Sequence, residues 1–392
     1  PIPMNTNPTP RANGLKSLFL GTLLAAALPA LSQSFDVGSN GSLGDVVIDQ
    51  NTTLDLPADG KLHYRSLTVN TGVRLNFRRN VRNTPVFILA QNQIVVNGTI
   101  DVNGAAGTAN DGGTPGPGGF GGGKPGFSTT AAGDGYGPGG GRAGDNVCTG
   151  SLFPGNGSFG SLGSGSRAGA IHGNSVLLPL MGGSGGGGMN GSPGLGGGGG
   201  GGAILLAANT RVRVTGTVES RGGGINQGCG GGGGSGGAIR LVALRVEGNG
   251  LLEARCINTS AGGQGRIRVD TLERDGVSFN FQGVSSVGGN LLALPPTIPR
   301  LDTVEVAGTA FPEGSAPGII LLPFGSTANR TVKIQARDFG KVVPLRVTLT
   351  PDAGSRVVVD AEVDNTSVNP AVVEVPVTFP INSKVTVHAW TR

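Results

Sequence analysis

Residues Ile204–Gly222 read ILLAANTRVRVTGTVESRG, and this stretch is the most informative about the fold because an apolar run leads through a turn into a second short strand. The same pattern occurs at Phe87–Gly104 (FILAQNQIVVNGTIDVNG) and at Ile239–Cys256 (IRLVALRVEGNGLLEARC). All three copies are rich in Val, Ile and Leu, the residues that favour strands. A repeated β-rich unit of this size is typical of stacked architectures. Weaker copies occur around 46–56, 67–77 and 265–281.

The turns of the three copies predict how they stack. Each copy turns at a glycine, namely Gly98, Gly216 or Gly250, and continues as a short strand of alternating character. One such unit cannot bury its apolar face alone, but neighbouring units can cover one another. We therefore predict an all-β chain, with a right-handed parallel β-helix (β-solenoid) over residues 33–288. A β-sandwich is the alternative, but hairpins would not explain a Gly-Gly-Ala-Ile entry before equivalent strands.

Glycine dominates the middle of the chain. There are 76 glycines in 392 residues, and 53 of them lie in residues 104–237. Glycine disfavours helices, and the absence of a strict three-residue repeat excludes collagen. The insert 104–202 interrupts the predicted solenoid. It is either a disordered linker or a packed layer of polyproline-II-like segments, and the alternation of Pro and Gly favours ordered excursions.

The first residues predict export. Residues 1–3 precede Met4 and are interpreted as upstream read-through, and residues 1–32 have the basic, apolar and small-residue regions of a signal peptide. We expect a secreted, extracellular or cell-surface protein without a transmembrane span after removal of the leader. Export permits disulfides, so Cys148 and Cys229 are a candidate pair, with Cys256 as the expected free thiol. No basic block is present, and nucleic acid is not an expected partner.

Residues 289–300 are rich in proline and are predicted to be a linker to a second domain. Glycine becomes scarce over 301–392, and an immunoglobulin-like β-sandwich is predicted there from seven strand-like runs. The predicted strands are 303–308, 318–324, 331–339, 344–350, 356–364, 372–379 and 384–390.

Motifs of catalysis are weak in this sequence. Gly-x-Ser-x-Gly occurs around Ser184 and Ser235, but neither serine stands between a strand and a helix as a nucleophile elbow requires. The histidines His63, His172 and His388 have no metal-ligand spacing. We predict no catalytic residue, no cofactor and no dedicated metal centre.

An acidic row is the sharpest candidate site. Alignment of the turn glycines places Asp101, Glu219 and Glu253 at one equivalent position, about 4.8 Å apart on neighbouring strands. We predict that they form an outward ladder, which Asp55 extends and beside which Asn76 and Asn280 take similar places. One interpretation is a site for calcium or an acidic sugar. The favoured one is a solvated face on which Glu and Arg pair across strands, with Arg221 and Arg255 as partners.

The motifs GGAIRL (236–241) and GGQGRIRV (262–269) carry a family resemblance. With them, residues 36–288 resemble glycine-rich secreted bacterial proteins that have a pectin-lyase-like parallel β-helix. The resemblance implies an exported surface protein. It carries over no catalytic residue, because the constellation of the β-helical lyases has no match here.

The sequence therefore leaves two alternative functions for this protein. The first is a non-enzymatic secreted structural or adhesive surface protein, with a homo-oligomer, filament or matrix as its assembly. The second is a protein that binds or cleaves a surface polysaccharide. Aromatic residues make up 4% of the chain, which leaves few platforms for sugar stacking and favours the first function.

Overall fold

The computed structural model describes residues 35–145, 152–191, 194–224, 230–257, 262–380 and 383–392. These residues form strands and irregular segments, and no helix occurs among them, so the all-β prediction is confirmed. The strands up to residue 288 are β1 (Asp45–Ile48), β2 (Thr52–Asp55), β3 (Lys61–Tyr64), β4 (Ser66–Val69), β5 (Arg74–Arg78), β6 (Val86–Ala90), β7 (Gln93–Val96), β8 (Thr99–Asp101), β9 (Gly126–Phe127), β10 (Asn190–Gly191), β11 (Ala203–Val214), β12 (Thr217–Glu219), β13 (Ala238–Glu247), β14 (Leu251–Glu253), β15 (Arg266–Asp270), β16 (Asn280–Gln282) and β17 (Val284–Gly288). Those that follow are β18 (Arg300–Val306), β19 (Thr309–Ala310), β20 (Asn329–Arg337), β21 (Val342–Pro351), β22 (Val357–Asp364), β23 (Ala371–Thr378) and β24 (Val385–Thr391).

Two parallel sheets organise residues 45–288. The large parallel sheet has nine strands in the order β1-β4-β7-β11-β13-β15-β17, with β3 and β6 alongside. The small parallel sheet has six strands in the order β16-β14-β12-β8-β5-β2. The chain alternates between the two sheets, because β7 leads directly to β8, β11 to β12 and β13 to β14. The three predicted repeats are thus neighbours in parallel pairing.

The core of this part lies between the two sheets. Alternating side chains of the large sheet, such as Ile94 and Val212, are fully buried against Ile100, Val218 and Leu252 of the small sheet. Alternation in each strand is what separates this buried face from the outer one.

The central strands of the large sheet are buried on their outer face as well. Leu205 and Val242 pack there against Val37 and against Leu291 and Leu294 of the predicted linker. This second cover explains why ILLAA of β11 is continuously apolar rather than alternating.

The insert before β11 and the glycine-rich segment between β12 and β13 together form an ordered glycine array, which we define as residues 102–145, 152–191, 194–202, 220–224 and 230–237. The amides of residues 197–202 donate in turn to three neighbouring segments, and amides three residues apart reach the same segment. The amides of Gly197 and Gly200 donate to the carbonyl oxygens of Gly123 and Phe120 in one segment. Those of Gly198 and Gly201 donate to Gly232 and Ser235 in a second segment. Those of Gly199 and Gly202 donate to Ala105 and Val102 in a third. A period of three residues per turn is that of a polyproline II helix.

Three further segments donate to the same central stretch. Gly113, Gly186 and Gly223 donate to the carbonyl oxygens of residues 197, 198 and 199, at 2.7–2.9 Å. Residues 197–202 therefore have six hydrogen-bonded neighbours, three that accept and three that donate. This explains how a stretch without side chains satisfies its buried backbone groups.

Absent side chains make this packing possible. A Cβ atom on Gly200 would lie under 3.0 Å from the carbonyl oxygen of Gly183, and one on Gly199 equally close to that of Thr114. The same holds for Gly197 against Gly186 and for Gly198 against Gly223. The neighbouring backbones thus occupy the volume that any other residue would need.

The last part of the chain is a β-sandwich of two antiparallel sheets. The sheets have the orders β19-β18-β20-β23 and β22-β21-β24, and Ile334, Leu345, Val347 and Val375 are buried between them. The predicted strand at 318–324 is wrong, because residues 318–323 form no strand. Its apolar run is exposed instead, since Pro317 and Pro323 lack the amide hydrogens that a ladder requires.

The sandwich contacts the glycine array through a polar and aromatic patch. Lys124 is 3.0 Å from Asp352, and the Tyr136 hydroxyl donates to Asp352 at 3.2 Å. Burial, followed by the nearby Asp352 charge, raises the pKa of Tyr136 to about 12, which keeps this donor protonated. The buried carboxylate of Asp134 accepts from the amide of Arg356.

We predict that Gly200→Ala destabilises the protein by about 3 kcal/mol, because the methyl group would displace the backbone at Gly183. Gly121→Ala is the matched control inside the array, because a Cβ there would meet its nearest atom, in the Tyr136 ring, at 3.6 Å. The control is expected to change stability by less than about 1 kcal/mol. Urea unfolding measures both, and equal stabilities of the two variants would contradict the packing described above.

His388 is expected to make the stability of the sandwich depend on pH. Its ring lies 6.0 Å from that of Phe120 and 6.3 Å from that of Tyr136, and burial lowers its pKa to about 4. The unfolded chain takes up this proton near pH 6.5, so the stability from the neutral ring is present above about pH 6.5 and lost as the pH falls to about 4.

We therefore predict that His388→Phe loses about 2 kcal/mol less stability than the wild type between about pH 7.5 and pH 4. Urea midpoints at the two pH values measure this difference. Parallel losses in both proteins would show that His388 carries no such linkage.

Candidate functional site

The acidic row Asp101, Glu219 and Glu253 lies on three neighbouring strands of the small parallel sheet. Glu219 is in register with Asp101 of β8 on one side and with Glu253 of β14 on the other. The preceding residues, Ile100, Val218 and Leu252, point into the core, so the acids face the other way. The structure thus brings together the three residues that the repeat alignment placed at one position.

Two arginines link the acids into a chain of alternating charge. The Arg74 guanidinium lies 2.6 Å from Asp101 and 3.0 Å from Glu219. Arg221 lies 3.0 Å from Glu219 and 3.9 Å from Glu253.

Arg255 ends this series of alternating charges at Glu253, with 2.6 Å between its Nε and the carboxylate. Asn103 Nδ2 donates to Glu219 Oε2 at 2.9 Å, and Asn103 Oδ1 accepts from the backbone amide of Arg221 at 2.6 Å. Three carboxylates therefore meet three guanidinium groups, and the row carries no net charge.

The predicted surroundings of the row need correction. Glu219 and Glu253 are buried, with side chains 10% and 5% exposed, so the ladder is not a solvated face. Each of these two carboxylates lies within 4 Å of two guanidinium groups, which offset the loss of water around it.

The predicted extension of the row is also wrong at two positions. In the strand register, Thr53 and Asn76 precede Asp101 in the row, and Gln282 follows Glu253. Asp55 and Asn280 therefore lie two residues away from the positions of the row on their own strands. Asp55 pairs with Arg78 at an exposed position instead.

A cleft of about 260 Å³ lies beside the row. Asn76, Asp101, Asn103 and Thr114 supply its polar lining, and Phe77 and Pro117 supply apolar surface. Amide and carboxylate groups beside an aromatic ring are the kind of lining that recognises a polar ligand such as a sugar.

The glycine array brings His172 and Ser184 together. His172 Nε2 lies 2.9 Å from Ser184 Oγ, and the Gly139 amide donates to the same hydroxyl. Ser184 is fully buried, and its own amide donates to Ser235 Oγ at 2.9 Å. Burial, opposed by a hydrogen bond to the Ser158 backbone, lowers the pKa of His172 to about 4. The two serines of the Gly-x-Ser-x-Gly motifs thus join segments of the array, and a substrate has no access to Ser184.

Sequence reasoning missed a buried ion pair on the outer face of the large sheet. Arg240, 1% exposed, lies 3.2 Å from the fully buried Asp270 and donates to the carbonyl oxygens of Leu292 and Ala293. Asp270 also accepts from Arg268. The only signal was a charged residue inside the apolar run AIRLVA of β13. These contacts hold residues 292–293 of the predicted linker against the sheet.

The predicted pairing of Cys148 with Cys229 concerns residues outside the described ranges. Cys256 is buried, with its Sγ 3.6 Å from the carbonyl oxygen of Gly223. Among the described residues no group of three or more His, Cys, Asp or Glu side chains is arranged to hold a metal ion.

Comparison with protein-family models, with curated proteins and with solved structures finds no match to this chain. Within the ranges given above, no helix is long and apolar enough to cross a bilayer. The site must therefore be interpreted from its own geometry.

We predict that Arg74→Met costs about 2 kcal/mol of stability, because it leaves the buried Glu219 and its neighbour Asp101 short of positive charge. The figure is below that of a fully buried pair, since the Arg74 side chain is 39% exposed. Arg65→Met breaks an exposed pair with Asp45 and is the control, with an expected cost under about 1 kcal/mol.

The double variant Arg74→Met/Glu219→Gln should recover part of the loss, because it also removes a buried charge. Urea unfolding near neutral pH measures the stabilities of the wild type and of these variants. A cost for Arg74→Met no larger than that for Arg65→Met would contradict the charge chain.

Proposed function

We propose that this chain is a non-enzymatic extracellular structural or adhesive protein, exported through its N-terminal leader. The observation that carries this proposal is the glycine array. Its six-neighbour packing buries backbone rather than side chains, so the largest insert of the chain supplies rigidity and few reactive groups. A catalytic insert would instead be expected to present convergent polar side chains around an open cavity.

The finer architecture belongs to the same proposal. Alternation between two parallel sheets supports a right-handed β-helix, since crossovers between parallel strands are right-handed in nearly all proteins. Two packed antiparallel sheets support an immunoglobulin-like module at the C-terminal end. In this arrangement the β-helix and array are a stiff spacer, and the sandwich makes the contacts by which copies assemble or attach.

The acidic row supports a structural role for the same reason. Its carboxylates are neutralised by Arg74, Arg221 and Arg255, so they have little charge left for a cation or for acid–base chemistry. Neutralised ladders of this kind hold neighbouring strands in register.

The cleft beside the row favours a second candidate function, which is binding of a surface polysaccharide. Its lining of Asn76, Asp101, Asn103 and Phe77 offers both hydrogen-bond partners and a ring face. Asn76→Trp would fill the cleft. Thr53→Trp, one strand away in the same row, is the matched control outside it.

The deciding experiment exposes the purified chain to acidic and neutral polysaccharides. We predict no release of reducing ends or unsaturated products, together with retention of the chain on surfaces or self-association in sedimentation. Shortening of any polysaccharide would overturn the structural proposal. Binding that Asn76→Trp abolishes and Thr53→Trp preserves would favour the second candidate. A chain that remains monomeric and binds no surface would contradict the adhesive role.

A further inference from the structure

The sandwich presents an exposed apolar loop, which we define as residues 314–329. No Asp, Glu, Lys or Arg occurs in these sixteen residues. Ile319 is 85% exposed, Leu321 90%, and Phe324 is fully exposed. Three large apolar side chains in water on one loop are a feature of interaction sites rather than of an inert surface.

The base of the apolar loop is held by charged and backbone contacts. Glu313, just before it, accepts from Arg337 at 2.6 Å and lies 3.1 Å from Arg300. At the other end, the Ser326 amide donates to Pro323 O, and Arg330 Nε donates to Thr327 O. The loop is therefore anchored on both sides, which lowers the entropy cost of binding through its tip.

An apolar cleft of about 220 Å³ lies on the same sandwich, at the seam between the edge strands β22 and β23. Val357, Val359, Pro376 and Val377 line it, and Arg330, Thr378 and Asn329, the last residue of the apolar loop, complete the lining. A cavity of roughly 150 Å³ is enough to hold a benzene ring. The cleft thus has the size and chemistry to accept a phenyl group, and an arginine beside it can contact the ring face.

We propose that Phe324 of one copy inserts into the cleft between β22 and β23 of a second copy. Phe324 does not fill the cleft of its own chain, because its side chain is fully exposed. Loop and cleft lie on one sandwich, and the proposal places the two copies on a two-fold axis, about which the contact is made twice. Reciprocal insertion doubles the buried area toward the roughly 1,000 Å² of a specific interface. The inference deepens the assembly role proposed above and rests on it.

A second copy fits these observations better than a lipid surface. Loops and helices that lie in a membrane interface carry Lys or Arg for the headgroups, whereas the apolar loop has neither. A membrane would also leave the cleft empty, while a second copy occupies the loop and the cleft together.

The test uses the full chain and three variants. Phe324→Ser removes the inserted ring, Thr378→Trp blocks the cleft from its exposed rim, and Leu162→Ser alters an exposed leucine far along the sequence as a control. Sedimentation equilibrium measures association, and urea midpoints close to that of the wild type show that each variant is folded.

We expect the wild type and Leu162→Ser to dimerise, and Phe324→Ser and Thr378→Trp each to dimerise about thirtyfold more weakly. An equimolar mixture of the two weakened variants should associate better than either alone, because one intact ring then meets one intact cleft.

Three results would overturn the inference. Equal association of all four proteins would reject this contact while leaving self-assembly in place. A monomeric wild type would reject the contact and weaken the assembly role. Binding of the monomeric wild type to phosphatidylcholine–phosphatidylglycerol vesicles, lost in Phe324→Ser, would assign the loop to a lipid surface instead.

Discussion

The constraint on which the structure depends is the close approach of backbones in the glycine array. Residues 197–202 donate to three segments and accept from three others, and their neighbours occupy the positions that Cβ atoms would need. Hydrogen bonds replace side-chain packing as the source of order, because an unpaired buried amide would be costly. The array in turn carries Lys124, Asp134 and Tyr136, the groups that contact the sandwich.

The parallel sheets meet a different constraint, which is the repulsion between carboxylates on neighbouring strands. Stacked repeats place identical positions side by side, so an acid in each repeat would create a column of repelling carboxylates. Arg74 and Arg221 each bridge two of these acids, and Arg255 pairs with Glu253, so that three guanidinium groups balance three carboxylates. This arrangement explains why Glu219 and Glu253 tolerate burial, and it leaves the adjoining cleft as a polar surface open to a ligand.

The repeated sequence pattern predicted the features that the repeats share, namely the strand register and the acidic row. The turn glycines Gly98, Gly216 and Gly250 aligned the strands, and the acids three residues later followed in register. Sequence could not predict Arg74 as a partner, because its strand belongs to a weak copy and its guanidinium reaches diagonally to the next strands. It could not predict the six neighbours of residues 197–202 either, since glycine carries no side chain that identifies a partner. The run 318–324 was wrongly predicted as a strand because its apolar character indicated one, whereas Pro317 and Pro323 lack the amide hydrogens that strand pairing requires.

Hydrogen exchange at the amides of residues 197–202 measures whether the glycine array is hydrogen-bonded as described. If the array is a hydrogen-bonded scaffold, these amides should be protected to the same degree as those of Ile204–Ala208 in β11, because both would open only with the core. Exchange at the rate of the exposed residues 318–324 would show that the glycine residues do not form this packing, and it would remove the basis for a structural role.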